Sequence, residues 1–139
     1  MYYNYEKTSD IKPINNDYLL DNPNDLYDKL MNVWCIDTCA PRFRDKYLKS
    51  HKTLGQCSIT SFLVQDIFGG EVYGVPLKDG GYHCFNVVEG IMFDLTNEQF
   101  AHPLTYSLDY TQSREVHFKD QDKYERYLLL KNKLNGEKI

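Results

Sequence analysis

The chain has 139 residues and a mass of 16.4 kDa, so residues 1–139 are expected to form a single domain around one core. Its 42% hydrophobic and 26% charged residues exclude disorder of the whole chain. Sixteen Lys plus Arg against twenty Asp plus Glu leave a net charge of -4, which excludes a surface built to neutralise phosphates and hence a nucleic-acid partner.

No stretch approaches the roughly 18–20 apolar residues that span a bilayer. The opening MYYNYEKTSD has neither the basic nor the apolar region of a secretory signal, so no membrane partner and a cytoplasmic address are expected. A chain of this length needs no covalent staple. The four cysteines are therefore expected to be reduced thiols whose reactivity matters more than their pairing.

Residues 1–20, with Pro13, Asn15, Asn16 and early tyrosines, carry no sustained period and are expected to form an arm that packs by its aromatics, leaving a core of about 22–134. Asn22 before Pro23 suits an N-cap with Pro at the first helical position. Leu26, Leu30, Val33 and Trp34 then place an apolar stripe on a helix that should stop by Pro41. Residues 42–53 are mostly polar, with Phe43 and Tyr47 as anchors, and read as a surface connection. A second helix is predicted over 57–68, halted by Gly69-Gly70 and buried through Ile59, Phe62, Leu63 and Ile67.

The period then changes to two. Residues 71–77, 82–88 and 91–95 read as antiparallel strands of a meander, turned at Lys78-Asp79-Gly80-Gly81 and at Glu89-Gly90. Residues 120–134, with Tyr124, Tyr127, Leu128 and Lys131 at helical spacing, read as a C-terminal helix closing over the sheet. Helices preceding an antiparallel sheet give an α+β fold.

Cys57 opens the second predicted helix, where unpaired backbone N–H groups and the positive end of the helix dipole favour a thiolate. Its own N–H can help hold an oxyanion. A cysteine nucleophile needs a base, and His83 lies on the second predicted strand. If the Glu89-Gly90 turn pairs Val88 with Ile91, Phe85 faces Asp94 and Asp94 becomes the diagonal, same-face neighbour of His83. Such neighbours lie about 7–8 Å apart at Cα, close enough for a carboxylate to orient an imidazole. Cys84 alternates to the face opposite His83 and is assigned to packing. His51, His102 and His117 have no acid or cysteine at a telling distance in sequence and read as surface or loop residues.

Gly55-Gln56-Cys57-Ser58-Ile59-Thr60-Ser61-Phe62 resembles the nucleophile segment of transglutaminases. The run from His83-Cys84-Phe85-Asn86 to Asp94-Leu95-Thr96 resembles their His and Asp hairpin. The order Cys, His, Asp is that of the transglutaminase-like and papain-like superfamily. Residues 55–100 are most similar to the small uncharacterised bacterial YunG-like proteins.

The resemblance implies a transglutaminase-like/papain-like core. It also implies a cofactor-free enzyme in which Cys57 attacks an acyl carbonyl, His83 shuttles the proton and Asp94 fixes the ring. Water as acceptor makes an amidase or peptidase, an amine makes an acyltransferase, and the acyl or peptide substrate is unknown. Gln56, Trp34 and Asn86 are the candidates for substrate or oxyanion contacts. Gln56 is adjacent to the nucleophile, unlike the papain-like glutamine several residues upstream, and a lone Trp on an apolar helix face is most often core.

Two rivals stand beside this reading. One is a non-catalytic binding module that keeps the scaffold and presents the aromatic arm or the cleft to a protein partner. The other is a structural zinc protein using Cys35 and Cys39, on a helix end, with Cys57 or Cys84; their spacing is poor for zinc.

Overall fold

The computed structural model describes residues 1–137. Its helices are α1 (Pro23–Val33), the short α2 (Arg44–Tyr47), α3 (Cys57–Phe68), the short α4 (Arg114–His117) and α5 (Gln121–Glu137). The strands β1 (Glu71–Pro76), β2 (Tyr82–Val88) and β3 (Ile91–Phe93) form one antiparallel sheet in that order. The architecture is α+β. No described helix is long and apolar enough to cross a membrane.

The capping chemistry read from sequence is present at α1: Asn22 Oδ1 accepts from the Asp25 N–H at 2.9 Å, with Pro23 at the first position. Leu26, Leu30 and Val33 are buried. The helix ends at Val33, well before Pro41, because Trp34 leaves the helical region (φ -57°, ψ 132°) and turns its indole into the core, where Nε1 donates to Thr60 Oγ1 at 3.0 Å. Cys35 and Cys39 consequently sit in turns, not on a helix end.

Helix α3 is the centre of the domain. Ile59, Phe62, Leu63, Val64 and Ile67 are wholly buried, which requires partners on more than one side. One side meets the sheet face of Val72, Cys84, Val88 and Phe93. The other meets α1 and α5, whose Tyr127, Leu130 and Leu134 are buried. Helix α5 therefore closes the helical layer and does not lie over the sheet. Its inward face is offset from the expected one, with Tyr124 and Leu128 each 39% exposed.

The β2–β3 turn fixes the register on which the site depends. Glu89 and Gly90 both take positive φ (53° and 78°), the requirement of the hairpin turn whose twist matches its strands. Val88 pairs with Ile91 and Asn86 with Phe93, as the sequence predicts. β3 is shorter than expected because the chain bends at Asp94, whose Oδ1 accepts from the Thr96 N–H at 3.0 Å.

Both outer edges of the sheet are covered. Gly74 N–H donates to Tyr110 O and Gln112 N–H to Val72 O on the β1 side, and Tyr3 bridges to Asp94 on the β3 side. The N-terminal segment packs into the core through its aromatics Tyr2 and Tyr18, and through Ile11 and Leu20 as well.

Candidate active site

Because β3 stops at Phe93, the first half of β2 has no strand on that side, and the start of α3 meets it there. The helical ladder begins with the Thr60 N–H to the Gln56 carbonyl, at 3.1 Å. The N–H groups of Cys57, Ser58 and Ile59 therefore have no intrahelical acceptor and lend positive potential to the space around the Cys57 sulfur. The preceding loop is held by Gly55 N–H, which donates to Gln99 Oε1 at 3.3 Å, while Gln99 Nε2 donates to Thr96 O at 2.9 Å. Gln99 thereby ties the loop before Cys57 to the segment that carries Asp94.

His83 and Asp94 are each 1% exposed, and His83 Nε2 lies 2.6 Å from Asp94 Oδ2. Asp94 is fully engaged: Oδ1 accepts from Thr96 N–H and Oγ1–H at 3.0 and 3.2 Å, and Oδ2 also accepts from the Tyr106 hydroxyl at 2.7 Å. Phe100 stands edge-on to the imidazole at 4.8 Å. With Nε2 committed to Asp94, Nδ1 is the ring nitrogen left for Cys57. Burial alone would lower the His83 pKa. The Asp94 and Cys57 charges, with hydrogen bonds from both side chains, outweigh it and raise the value to about 10.

Cys57 is half-exposed on the cleft, while Cys84 behind it is buried. A hydrogen bond from the Cys84 side chain is the largest influence on the Cys57 thiol. Against the opposing effect of burial, it combines with the His83 charge and hydrogen bond, and with the Cys84 backbone N–H, to hold Cys57 well below the ordinary thiol range. Cys84, which shares that hydrogen bond and is buried, moves well above it. The two sulfurs share one neighbour, Ser58 Oγ, at 3.9 and 3.7 Å. Of the pair, Cys57 is the thiolate, because only its sulfur has both an imidazolium and a helix start beside it. The arrangement favours a thiolate on Cys57 and an imidazolium on His83, backed by the Asp94 carboxylate and adjoining backbone N–H donors.

The three auxiliary candidates are turned elsewhere. Trp34 Nε1 is spent on Thr60. Gln56 is buried, with Nε2 donating to Cys35 O at 3.1 Å. Asn86 Nδ2 donates to Ser61 O at 2.9 Å, bracing β2 against α3. All three hold the scaffold, and none offers a donor to the cleft. The two loop arginines also differ in role: Arg44 bonds the carbonyls of Cys39 and Asp37, whereas Arg42 lines the cleft.

Sequence reasoning missed Tyr106 and Phe100 around the His–Asp pair, quoted Thr96 in a motif without giving it a role, and misplaced His117. Far from being a surface residue without partners, His117 reaches within 3.9 Å of Cys84 Sγ and stands in the cleft wall. His51 likewise has an acid beside it, Glu98 at 3.7 Å. Of these, only Thr96 carried a local signal, two residues after an Asp in a turn context. All four cysteines are free thiols. Among the described residues no three His, Cys, Asp or Glu side chains converge as a metal site, and Cys39 is buried against the Gly55 loop.

Comparison with known proteins adds a family. The family described as YunG protein matches residues 22–138. The chain is 35% identical over 75 residues to a Bacillus subtilis (strain 168) protein named "Uncharacterized protein YunG", a match covering 54% of this chain and 64% of that relative. The chain thus matches less than two thirds of the length of this relative. No solved structure matches the chain.

Proposed function

The chain belongs to the YunG family, and from that premise and the site geometry we propose that it is a cysteine-dependent acyl-transfer or amide-hydrolysing enzyme on a variant of the transglutaminase-like/papain-like core. The observation that carries this reading is the alignment of Cys57, His83 and Asp94, with His83 held to Asp94 at 2.6 Å and Cys57 at the start of α3. The shared order of elements supports the fold assignment: a cysteine opening a helix, a histidine on a following strand, an aspartate where the next strand ends.

In the reaction, the Cys57 thiolate forms a bond to the carbonyl carbon and the displaced electron pair moves to oxygen, beside the Cys57 N–H. Collapse breaks the bond to the leaving amine or alkoxide, which takes the His83 proton, and a thioester remains. Neutral His83 then removes a proton from water or an acceptor amine as it attacks. Expulsion of the thiolate releases product, and the proton left on His83 restores the ion pair. Asp94 keeps the ring oriented and its positive form stabilised throughout.

The cleft in front of Cys57 has a volume of about 1630 Å³, above the roughly 300–1,000 Å³ of typical small-molecule sites. That size favours an extended substrate such as a peptide segment.

The test is acylation by p-nitrophenyl acetate followed by intact and peptide mass spectrometry. The expected result is a burst of p-nitrophenolate and an acetyl group on Cys57, absent in Cys57→Ala and slowed in His83→Ala. A Cys57 that acylates no faster than Cys35 overturns the reading and leaves the scaffold as a binding module.

A further inference from the structure

On the wall of the cleft that holds Cys57, Lys123 is placed where a lysine is least expected. It is half-buried, and it occupies the first turn of α5, where the helix dipole disfavours a cation. Its ammonium has no carboxylate partner among the described residues; Nζ donates instead to His117 Nδ1 at 2.9 Å. The acids beside it in sequence make other bonds and no ion pair with its ammonium. Asp120 Oδ1 accepts the Lys123 backbone N–H at 3.2 Å, and Asp122 Oδ2 accepts from Arg126 at 2.7 Å.

His117 makes this arrangement one-directional. Because Nδ1 accepts from Lys123, the ring proton sits on Nε2, which donates to Gln112 Oε1 at 2.8 Å. The imidazole is therefore neutral and acts as a strut. It carries the lysine on one nitrogen, and its other nitrogen lies 3.9 Å from Cys84 Sγ, whose thiol is hydrogen-bonded to Cys57. One imidazole and one thiol separate the unpaired charge from the nucleophile. Both Lys123 and Cys57 face the same cleft.

We infer that Lys123, positioned by His117 and Gln112, is the seat for an anionic group of the substrate, so that the site takes an amide or ester bearing a free carboxylate a few bonds from the scissile carbonyl. A carboxylate there gains a charge-assisted hydrogen bond in a partly desolvated wall. It also supplies the counter-charge that the fold withholds from Lys123. The inference rests on the reading of Cys57 as an acyl nucleophile. It adds the substrate class and makes Lys123 a specificity residue.

The test uses two alkylating probes of nearly equal size, N-iodoacetylglycine and N-iodoacetylglycinamide, which differ in the carboxylate alone. Each forms a thioether as Cys57 sulfur displaces iodide. At pH 7 the carboxylate probe is expected to modify Cys57 about five- to tenfold faster than the neutral one, the scale of a single charge pair in a partly buried setting. Lys123→Gln and Lys123→Met should bring that ratio to about one, each variant's carboxylate-probe rate being read against its own neutral-probe rate, and Lys123→Arg should keep it.

A wild-type ratio at or below one, or a ratio that survives loss of the Lys123 charge, overturns the inference. Failure of the underlying nucleophile reading looks different: the neutral probe then reacts with Cys57 no faster than with Cys35.

Discussion

The Tyr106 hydroxyl donates to Asp94 Oδ2, the same carboxylate oxygen that holds His83 Nε2, at 2.7 Å against 2.6 Å. The Tyr106 ring is itself pinned by stacking on Tyr3 at 4.1 Å and by an edge contact with Phe85 at 4.9 Å. The N-terminal segment thus helps orient the His83–Asp94 pair from a distance. Tyr106→Phe keeps both ring contacts and removes one hydrogen bond to a charged group, so a loss of about 1.5–3 kcal/mol is expected in urea denaturation. A loss below about 0.5 kcal/mol would mean that Asp94 is held by Thr96 and His83 alone.

Asp94→Asn tests the electrostatics more directly. The Asp94 charge is a principal cause of the raised His83 pKa, so the variant should lower that value and deprive Cys57 of its imidazolium at neutral pH. Alkylation of Cys57 by iodoacetamide at pH 6 should fall on the order of tenfold or more. Its midpoint should move up toward the free-thiol value of about 8.5.

The ion pair also shapes the stability profile, and the sign follows from proton counts. His83, raised to about 10, contributes stability that is complete below its unfolded value of about 6.5 and lost as pH rises through 10. Cys57, depressed, contributes stability that is complete above its unfolded value of about 8.5 and lost as pH falls through its folded one. Between about 6.5 and 8.5 the two slopes cancel, since folded and unfolded forms each carry one proton on the pair. The pair's contribution should be flat in that window, whereas in Cys57→Ser it should decline from about pH 6.5 upward. Unfolding free energies at half-unit pH intervals, wild type against variant, check this.

Trp34→Phe and Asn86→Ala separate scaffold from chemistry. Each removes a buried hydrogen bond, to Thr60 and to the Ser61 carbonyl, and each should cost about 1–3 kcal/mol. Neither should change the Cys57 alkylation rate of the folded protein. A reactivity loss without a stability loss in either variant would return it to the list of cleft donors.

Gly55→Ala should disturb the nucleophile loop itself. Gly55 has φ 71°, and an added Cβ would lie 2.7 Å from Cys39 Sγ and 2.9 Å from the Ala40 nitrogen, the latter already donating to the Gly55 carbonyl. Strain of about 1–3 kcal/mol is expected, together with slower alkylation of Cys57 at pH 6 as the loop shifts. Thermal unfolding and peptide mass spectrometry read the two effects separately.

The elements that sequence reading located share one property: their signals are local. Asn22 and Pro23 fix the start of α1, Gly69 and Gly70 the end of α3, and Glu89-Gly90 the hairpin whose register sets Asp94 beside His83. Each acts over a few residues through capping, positive φ or a two-residue turn. Trp34, Gln56 and Asn86 were named as candidates for substrate or oxyanion contacts, but residue type and position in sequence say nothing of which way a side chain turns. All three turn inward to carbonyl or hydroxyl partners that lie 21 to 26 residues away.

By itself, then, the sequence determined the α+β order, the helix start at Cys57, and the diagonal placement of His83 and Asp94. Backbone chemistry within short windows is enough for these. Only the tertiary structure decided that α5 packs on α3 and α1, that residues 1–20 join the core, that Tyr106 bonds Asp94, and that Lys123 lines the same cleft as Cys57. Those placements are set by burial of apolar surface against whatever partner the folded chain brings up. Such contacts span tens of residues and leave no periodic trace in the segments that make them.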